Sequence, residues 1–90
     1  MGHALVTLKV MPESVDTSLE ELTAQVHTAI KDFGGDVLKT EQEPVAFGLI
    51  ALNIIFAIDE KTDTEPLQQT VNDFDTTASA DITDIRRAIG

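Results

Sequence analysis

The chain has 90 residues, of which six are basic and sixteen acidic, so its formal charge at pH 7 is -10, and it contains no cysteine. This length predicts one domain, residues 1–90, whose core is too small to surround a deep substrate cavity as well. The charge opposes binding to nucleic-acid phosphates or anionic lipid through a broad surface, and the lack of cysteine excludes disulfides and thiolate metal sites.

The hydrophobic content predicts a folded protein despite this charge. Hydrophobic residues make up 42% of the chain, which is enough for a core. Residues 1–10 alternate and do not form the apolar run of a secretory signal, and the apolar stretch 45–58 is shorter than the roughly 20 residues that cross a bilayer. We therefore expect a soluble, cytoplasmic protein with no membrane partner. Its acidic surface suits a salt-rich (halophilic) interior, where screening relieves self-repulsion.

The first half of the chain predicts a strand, a helix and a second strand. Residues 3–11 alternate, which is typical of a strand with one buried face. The residues of that face are Ala4, Val6, Leu8 and Val10. Ser18 with Glu21 three residues later has the spacing of a capping box, and Gly34 with Gly35 ends the helix that follows. The more polar run 36–43 predicts the second strand.

The second half predicts strand, helix and strand again. Residues 49–58 are heavily apolar and predict the third strand. Thr64 or Asp63 can cap a second helix with Pro66 in its first turn, where proline costs no hydrogen bond. The buried stripe of this helix is predicted at Leu67, Val71 and Phe74. Alternation over residues 80–85 predicts a short last strand.

The resulting order, β-α-β-β-α-β, contains two split units with right-handed crossovers. Such units form a four-stranded antiparallel sheet with both helices on one face. The sequence therefore predicts an α+β protein with a ferredoxin-like sandwich fold.

No residue pattern points to catalysis or metal binding. His3 and His27 lie too far apart in the predicted fold to form a metal pair without further ligands, and we interpret His27 as a partly solvated structural residue. Carboxylates are so abundant that adjacent acidic pairs carry no information about acid–base chemistry. We expect no catalytic residue, no metal site and no cofactor.

RNA-binding sheets of this fold carry exposed aromatic residues among basic ones. The chain has no tryptophan or tyrosine, and most of its four phenylalanines are expected in the core. The strand positions that would stack bases hold Leu5, Thr7, Ala51 and Asn53. We therefore expect no direct nucleic-acid partner. A small-ligand regulatory or assembly module on the same fold remains an open alternative.

Three segments carry a more specific signal. They are LKVMPES at residues 8–14, EPVAFGL at 43–49 and TDIRR at 83–87. Together they strongly resemble the archaeal elongation factor 1-beta family, in order and over essentially the whole chain. The resemblance implies a ferredoxin-like guanine nucleotide exchange factor that promotes GDP release and GTP loading on elongation factor 1-alpha. It implies no bond-making enzyme activity, and we expect the protein to be a monomer.

The resemblance implies partner-binding residues at Ala46, Phe47, Gly48, Arg86 and Arg87. In related exchange domains the phenylalanine of the Phe-Gly pair projects toward the second domain of the GTPase, and such an exposed aromatic makes a good interface anchor. From residue type alone, a core position for this phenylalanine is equally open. The arginines form the only adjacent basic pair in the chain, which would direct this end toward an acidic patch or the magnesium region of the partner. Their structural alternative is a solvated strand end.

The chain departs from the family pattern near its carboxy terminus. Eukaryotic exchange domains carry a lysine there that reaches the magnesium site of the GTPase, and the corresponding residue here is Gly90. Two alternatives stay open. Either Arg86 or Arg87 takes the role of the lysine by a different reach, or magnesium is displaced by backbone and switch movement without a basic side chain.

Overall fold

The computed structural model describes residues 2–88, so Gly90, which stands where eukaryotic exchange domains carry a lysine, lies outside the described part of the chain. The predicted order of elements is confirmed. The elements are β1 (His3–Pro12), α1 (Leu19–Asp32), β2 (Asp36–Pro44), a single 3₁₀ turn (Ala46–Gly48), β3 (Ile50–Asp59), α2 (Glu65–Asn72) and β4 (Thr77–Ala88). Their bounds agree with the sequence predictions within two residues, except for the last strand.

The four strands form one antiparallel sheet in the order β2-β3-β1-β4. Both helices contribute their buried residues to the same core as alternate residues of the strands, so they pack on one face of the sheet. The predicted ferredoxin-like α+β fold is therefore confirmed. The fully buried large side chains are Val6, Leu8, Val10, Leu22, Val26, Ile30, Leu52, Ile54, Phe56, Leu67 and Val71.

The last strand differs from its prediction in length and in regularity. It extends to Thr77 and Ala88, beyond the predicted residues 80–85. Its register with β1 shifts at two points, and these leave Thr83 and Ala78 without partners on β1; the shift at Thr83 is a bulge within the predicted strand. Such a bulge reverses the alternation that follows it. As a result Ile85 shares the core-facing side of β4 with Ile82, whereas simple alternation placed them on opposite faces.

The helix ends follow local chemistry. Ser18 Oγ accepts a hydrogen bond from the Glu21 backbone N–H at 3.3 Å and so caps α1 as predicted. Beyond α1, Gly34 has a φ of +99°, which glycine adopts without strain. At α2 the side chain of Thr64 makes no capping bond, whereas Asp63 Oδ1 accepts from the Glu65 N–H at 3.0 Å. Of the two predicted caps, Asp63 supplies the hydrogen bond.

The second helix is shorter than its apolar spacing suggested. It ends at Asn72, so Phe74 lies beyond it, although this ring still packs partly against the core. The Asn72 amide exchanges two hydrogen bonds with the Ala80 backbone, at 2.9 and 3.0 Å. These bonds hold the carboxyl end of α2 against β4.

Candidate functional site

A tight turn joins β2 and β3 at one end of the sheet. The Val45 N–H donates to the Leu49 carbonyl at 2.9 Å, and the Leu49 N–H donates to the Ala46 carbonyl at 3.3 Å. The two residues at the tip, Phe47 and Gly48, both have positive φ, of 63° and 77°. Two consecutive left-handed residues characterise a type I′ hairpin turn, which prefers Asn-Gly or Asp-Gly.

Phe47 occupies the position in this turn that suits an aromatic residue least. Its backbone lies in the left-handed region at φ 63° and ψ 26°, which costs a bulky residue about 1 to 3 kcal/mol. Its side chain is 94% exposed, so burial does not compensate for this strain. The core alternative for Phe47 is therefore excluded. A strained, exposed aromatic ring at a hairpin tip has no role in stabilising this domain.

A polar network supports the base of the hairpin. The Asn53 amide donates to Glu43 Oε1 at 2.8 Å, and the Lys9 ammonium lies 3.7 Å from the same oxygen. The hydrogen bond from Asn53, followed by the positive charge of Lys9, lowers the pKa of the Glu43 carboxyl from its ordinary value. The network joins β1, β2 and β3 on the sheet face without helices, and so it fixes the strands from which the turn projects.

The arginines lie at the other end of the sheet, in β4, and both are largely exposed. Arg86 pairs in register with Leu5 of β1, and Arg87 pairs with Ala4, which belongs to the core face. Adjacent strand residues point to opposite faces. Arg86 therefore projects from the open face of the sheet and Arg87 from the helix-covered face, so they do not form one basic surface.

Each arginine also has an acidic neighbour. Arg86 Nε donates to Asp84 Oδ2 at 2.9 Å, and Arg87 Nε lies 4.0 Å from Glu60 Oε2. Both pairs are solvent-exposed, and such ion pairs contribute little to stability. The arginines are thus held loosely by this chain and can exchange partners.

The structure does not bring the hairpin tip and the arginines together. Arg86 lies opposite residue 5 of β1, whereas the start of β3 lies near the carboxyl end of β1, seven residues further along. At about 3.3 Å per strand residue this separation is roughly 23 Å. A single partner could contact both ends only if its surface followed more than half of the 41 Å length of the domain.

The histidine of α1 makes a structural contact. His27 Nε2 lies 2.7 Å from Thr40 Oγ1 in a partly buried contact between α1 and β2, which agrees with its structural interpretation. Within residues 2–88, no group of three or more potential ligands is arranged to hold a metal ion. No helix in the same part of the chain is long and apolar enough to cross a membrane.

Sequence reasoning missed one exposed apolar residue close to the hairpin. Val15 lies in the loop between β1 and α1 and is 62% exposed. A methyl group placed on Gly48 would lie 3.7 Å from Val15 Cγ1, so the loop after β1 and the hairpin turn lie close enough to contact each other. The available signal was a single apolar residue within the polar run of residues 13–18.

Comparison with known proteins identifies related sequences. The profile of the family described as the EF-1 guanine nucleotide exchange domain matches residues 5–88. The chain is 43% identical over 88 residues to elongation factor 1-beta of Methanobrevibacter smithii, covering 97% of this chain and 98% of that protein. It is 36% identical, with the same coverage, to elongation factor 1-beta of Methanothermobacter thermautotrophicus.

Solved structures support the fold alone. The carboxy-terminal domain of the MgtC protein from Mycobacterium tuberculosis superposes with a TM-score of 0.64 at 10% identity, over 98% of this chain and 88% of that one. The de novo designed protein Foldit4 superposes with a TM-score of 0.62 at 13% identity, over 98% of both chains. At such low identities the shared architecture carries no information about activity.

Proposed function

This chain belongs to the EF-1 guanine nucleotide exchange domain family, and we propose that it promotes GDP release from elongation factor 1-alpha and thereby allows GTP to bind. The observation that carries the proposal is the exchange-domain match over residues 5–88, which spans both helices and nearly all of the sheet. The proposed activity is nucleotide exchange on a GTPase, without bond-making chemistry by this chain.

Exchange requires a difference in affinity between two states of the GTPase. The factor must bind the nucleotide-free GTPase more tightly than the GDP-bound form, and by linkage GDP weakens binding of the factor by the same ratio. GTPases hold GDP largely through its phosphates and a magnesium ion. A protein without cofactor chemistry can therefore accelerate release by moving the segments that hold this ion.

We assign the binding anchor to Ala46, Phe47 and Gly48. Anchors at protein interfaces are aromatic side chains that enter pockets on the partner. Phe47 meets this requirement because its ring is almost fully exposed and projects from the tip of a hydrogen-bonded turn. A backbone that is already fixed by hydrogen bonds loses little conformational entropy when the anchor binds, which favours affinity.

We assign the rate-enhancing contacts to the β4 end, with Arg86 and Arg87 as its charged groups. Both guanidinium groups are exposed and form exposed ion pairs with acidic residues of this chain. A carboxylate of the GTPase that forms a better aligned hydrogen bond could replace either acidic neighbour. Because the two side chains leave β4 on opposite faces, one of them faces the magnesium region and the other does not. Substitution of the two arginines distinguishes this assignment from the alternative, in which backbone and switch movement displace magnesium.

We further propose that the protein acts in the cytoplasm as a monomer, without direct nucleic-acid contact. Membership of a translation-factor family supports the compartment. The charge of -10 supports the lack of nucleic-acid contact, because it repels phosphate backbones. Sedimentation of the isolated protein, and titration with tRNA at low salt, test these two points. A stable dimer or tRNA binding at physiological salt would contradict them.

We also propose that the acidic surface is an adaptation to a salt-rich cytoplasm. The chain has sixteen acidic and only six basic residues, so repulsion between its carboxylates opposes the compact state in dilute buffer. Screening shortens from about 10 Å at 0.1 M salt to about 3 Å at 1 M. The melting temperature should therefore rise between 0.1 and 1 M potassium chloride. A melting temperature that stays constant over this range would refute the adaptation.

The exchange activity is tested by nucleotide release. Elongation factor 1-alpha of the same organism is loaded with labelled GDP, and release is followed in excess unlabelled nucleotide. Stoichiometric addition of this protein should accelerate release, at low and at high salt. Reactions without the protein, and reactions with an unrelated GTPase, are the controls. Release at the spontaneous rate in both salts would overturn the proposal.

A further inference from the structure

The loop between β1 and α1 is a closed, hydrogen-bonded turn. The Ser14 N–H donates to Thr17 Oγ1 at 3.2 Å, and the Thr17 N–H donates back to the Ser14 carbonyl at 3.2 Å. Ser14 Oγ also accepts from the Asp16 N–H at 3.2 Å. These bonds join both ends of a four-residue segment, which is the arrangement of a serine/threonine turn.

Val15 lies within this turn, and 62% of it is exposed. The Glu13 N–H donates to the Thr76 carbonyl at 2.9 Å, which anchors the start of the turn to the loop before β4. The backbone at Val15 is thus held by hydrogen bonds, and its side chain has a large apolar exposure. The hairpin turn with Phe47 has the same two properties, and the two turns meet at Gly48.

We propose that Val15 is a second apolar anchor for the GTPase, which binds together with Phe47 as a two-pronged tip. The inference rests on the proposed exchange function and adds a residue, and a shape, to its binding surface. Two exposed apolar side chains on neighbouring hydrogen-bonded turns match a partner surface with one wide apolar pocket or two adjoining ones. Because Val15 lies beside the turn that carries Phe47, the partner that contacts Val15 is the same GTPase.

The charges around the tip define the rim of that pocket. Glu13 and Asp16 flank Val15 in sequence and are both exposed, and within residues 2–88 neither carboxylate lies within ion-pair distance of a basic side chain. Complementary charge at the edge of an interface increases the association rate and aligns the two surfaces. The receiving pocket on the GTPase is therefore apolar with a basic rim.

The chain contains a matched control for Val15. Leu38 is 55% exposed, a similar value, and it lies at the irregularity in β2, toward the end of the sheet away from the tip. Threonine at position 15 keeps the branched shape of valine and replaces one methyl group by a hydroxyl group, so it removes part of the apolar contact at nearly constant volume. The variants Val15→Thr and Leu38→Thr therefore compare the loss of exposed apolar surface at two places.

The experiment measures GDP release from elongation factor 1-alpha as a function of factor concentration. Val15→Thr should raise the concentration needed for half-maximal rate about fivefold. Leu38→Thr should change it by less than about twofold. Introduced into a Phe47→Ala background, Val15→Thr should still weaken binding, although the two effects need not add, because the side chains lie on contacting turns and share one partner surface.

Asp16→Asn tests the basic rim of the pocket. This substitution should weaken binding at low salt and have little effect at 1 M salt, because rim charges are screened. If Asp16→Asn and the unmodified protein show the same salt dependence of binding, the proposed basic rim is wrong.

Other outcomes separate the anchor from the exchange function. If Phe47→Ala weakens binding but Val15→Thr does not, the second anchor is wrong and the exchange function stands. If Val15→Thr loses its effect in the Phe47→Ala background, Val15 only positions the hairpin, which also overturns the anchor. If the unmodified protein does not accelerate release, the exchange function itself fails.

Discussion

The two ends of the sheet differ in how they present their exposed side chains. At the hairpin end, Phe47 and Val15 are apolar and exposed, and hydrogen-bonded turns hold their backbones. At the other end, Arg86 and Arg87 are charged and exposed, and each already has an acidic neighbour on this chain. Apolar contacts that the tip makes in every nucleotide state of the GTPase provide similar binding energy in each state. An arginine that exchanges its acidic neighbour for one on the GTPase acts only when that acidic group becomes accessible.

For the proposed exchange function, this difference predicts separate roles for the two ends. Interactions made equally before and after the nucleotide site opens change affinity, whereas interactions made only during opening change the maximal rate. We therefore expect substitutions at the tip to alter binding and substitutions in β4 to alter the rate. Both ends depend on the same core, and substitutions there should not distinguish them.

The largest effect is expected from Leu22→Ala or Ile54→Ala in this shared core. Both side chains are fully buried between the helices and the sheet. Removing them should lower the free energy of unfolding by about 2 to 5 kcal/mol through lost burial and the cavity left behind. Thr28→Ala, at an exposed position of α1, is the control and should be nearly neutral. Denaturant unfolding measures the difference; midpoints near that of the unmodified protein would show that the core is wrongly assigned.

The next largest effect is expected at the tip. Phe47→Ala should weaken binding to elongation factor 1-alpha by about 2 kcal/mol or more, because it removes an aromatic anchor. The free energy of unfolding should change by less than about 1 kcal/mol, because the ring makes almost no contact within the domain. Calorimetric titration and thermal unfolding measure the two quantities. A large loss of stability with unchanged binding would reverse the assignment of this residue.

Substitution of both arginines should separate rate from affinity. Arg86→Ala combined with Arg87→Ala should lower the maximal exchange rate by about tenfold, which corresponds to about 1.4 kcal/mol of activation free energy. The half-saturating concentration should change less, and added magnesium should increase the defect. One of the single substitutions should carry most of the loss, because the side chains lie on opposite faces of β4.

Lys31→Ala, on the exposed surface of α1, is the charge-matched control for each single arginine variant. It should leave the maximal rate unchanged. If the double arginine variant also reaches the unmodified rate at saturation, the arginines only steer the encounter, and a backbone-driven release of magnesium becomes the better explanation.

A smaller effect, of opposite sign, is expected from Phe47→Asn. Asparagine tolerates the left-handed backbone of a type I′ turn better than phenylalanine does. The free energy of unfolding should therefore rise by about 1 kcal/mol while binding to the GTPase is weakened. Thermal unfolding of this variant beside Phe47→Ala separates relief of backbone strain from loss of the ring. Equal or lower stability of the asparagine variant would mean that the turn is not strained.

The smallest effect concerns the polar network at the base of the hairpin. The pKa of Glu43 is lowered in the folded protein, mainly by the Asn53 hydrogen bond and then by Lys9. The folded state therefore binds a proton less readily than the unfolded chain, so the network stabilises the fold above the ordinary glutamate pKa of about 4.3. This contribution is lost as the pH falls through the lowered pKa.

The test of this network is the pH dependence of Glu43→Gln. The substitution should lower the melting temperature at pH 7, and the difference should shrink as the pH falls below about 4. Thr28→Ala, at an exposed position of α1 without an ionisable group, is the control, and its effect on the melting temperature should not change with pH. A difference that is constant with pH would exclude the lowered pKa as its cause.

The amino-acid sequence by itself predicted the fold, because the patterns that determine it are local. Alternation in β1, helical spacing and the Ser18 cap in α1, and the glycine after it each depend on residues a few positions apart. The resemblance of residues 43–49 and 83–87 to a known family also indicated which two segments of the sequence form the candidate regions. Neither kind of signal contains distances between elements.

Only the tertiary structure decided how the candidate residues are presented. The bulge at Thr83 depends on pairing between β1 and β4, and it could not be read from β4 alone. The left-handed backbone of Phe47 runs against its residue type, so propensity would not predict it. The placement of Arg86 and Arg87 on opposite faces, and of Val15 beside Gly48, depends on strand register and loop packing between residues distant in sequence. Sequence determined which residues are present at each end, and long-range packing determined the direction in which each one points.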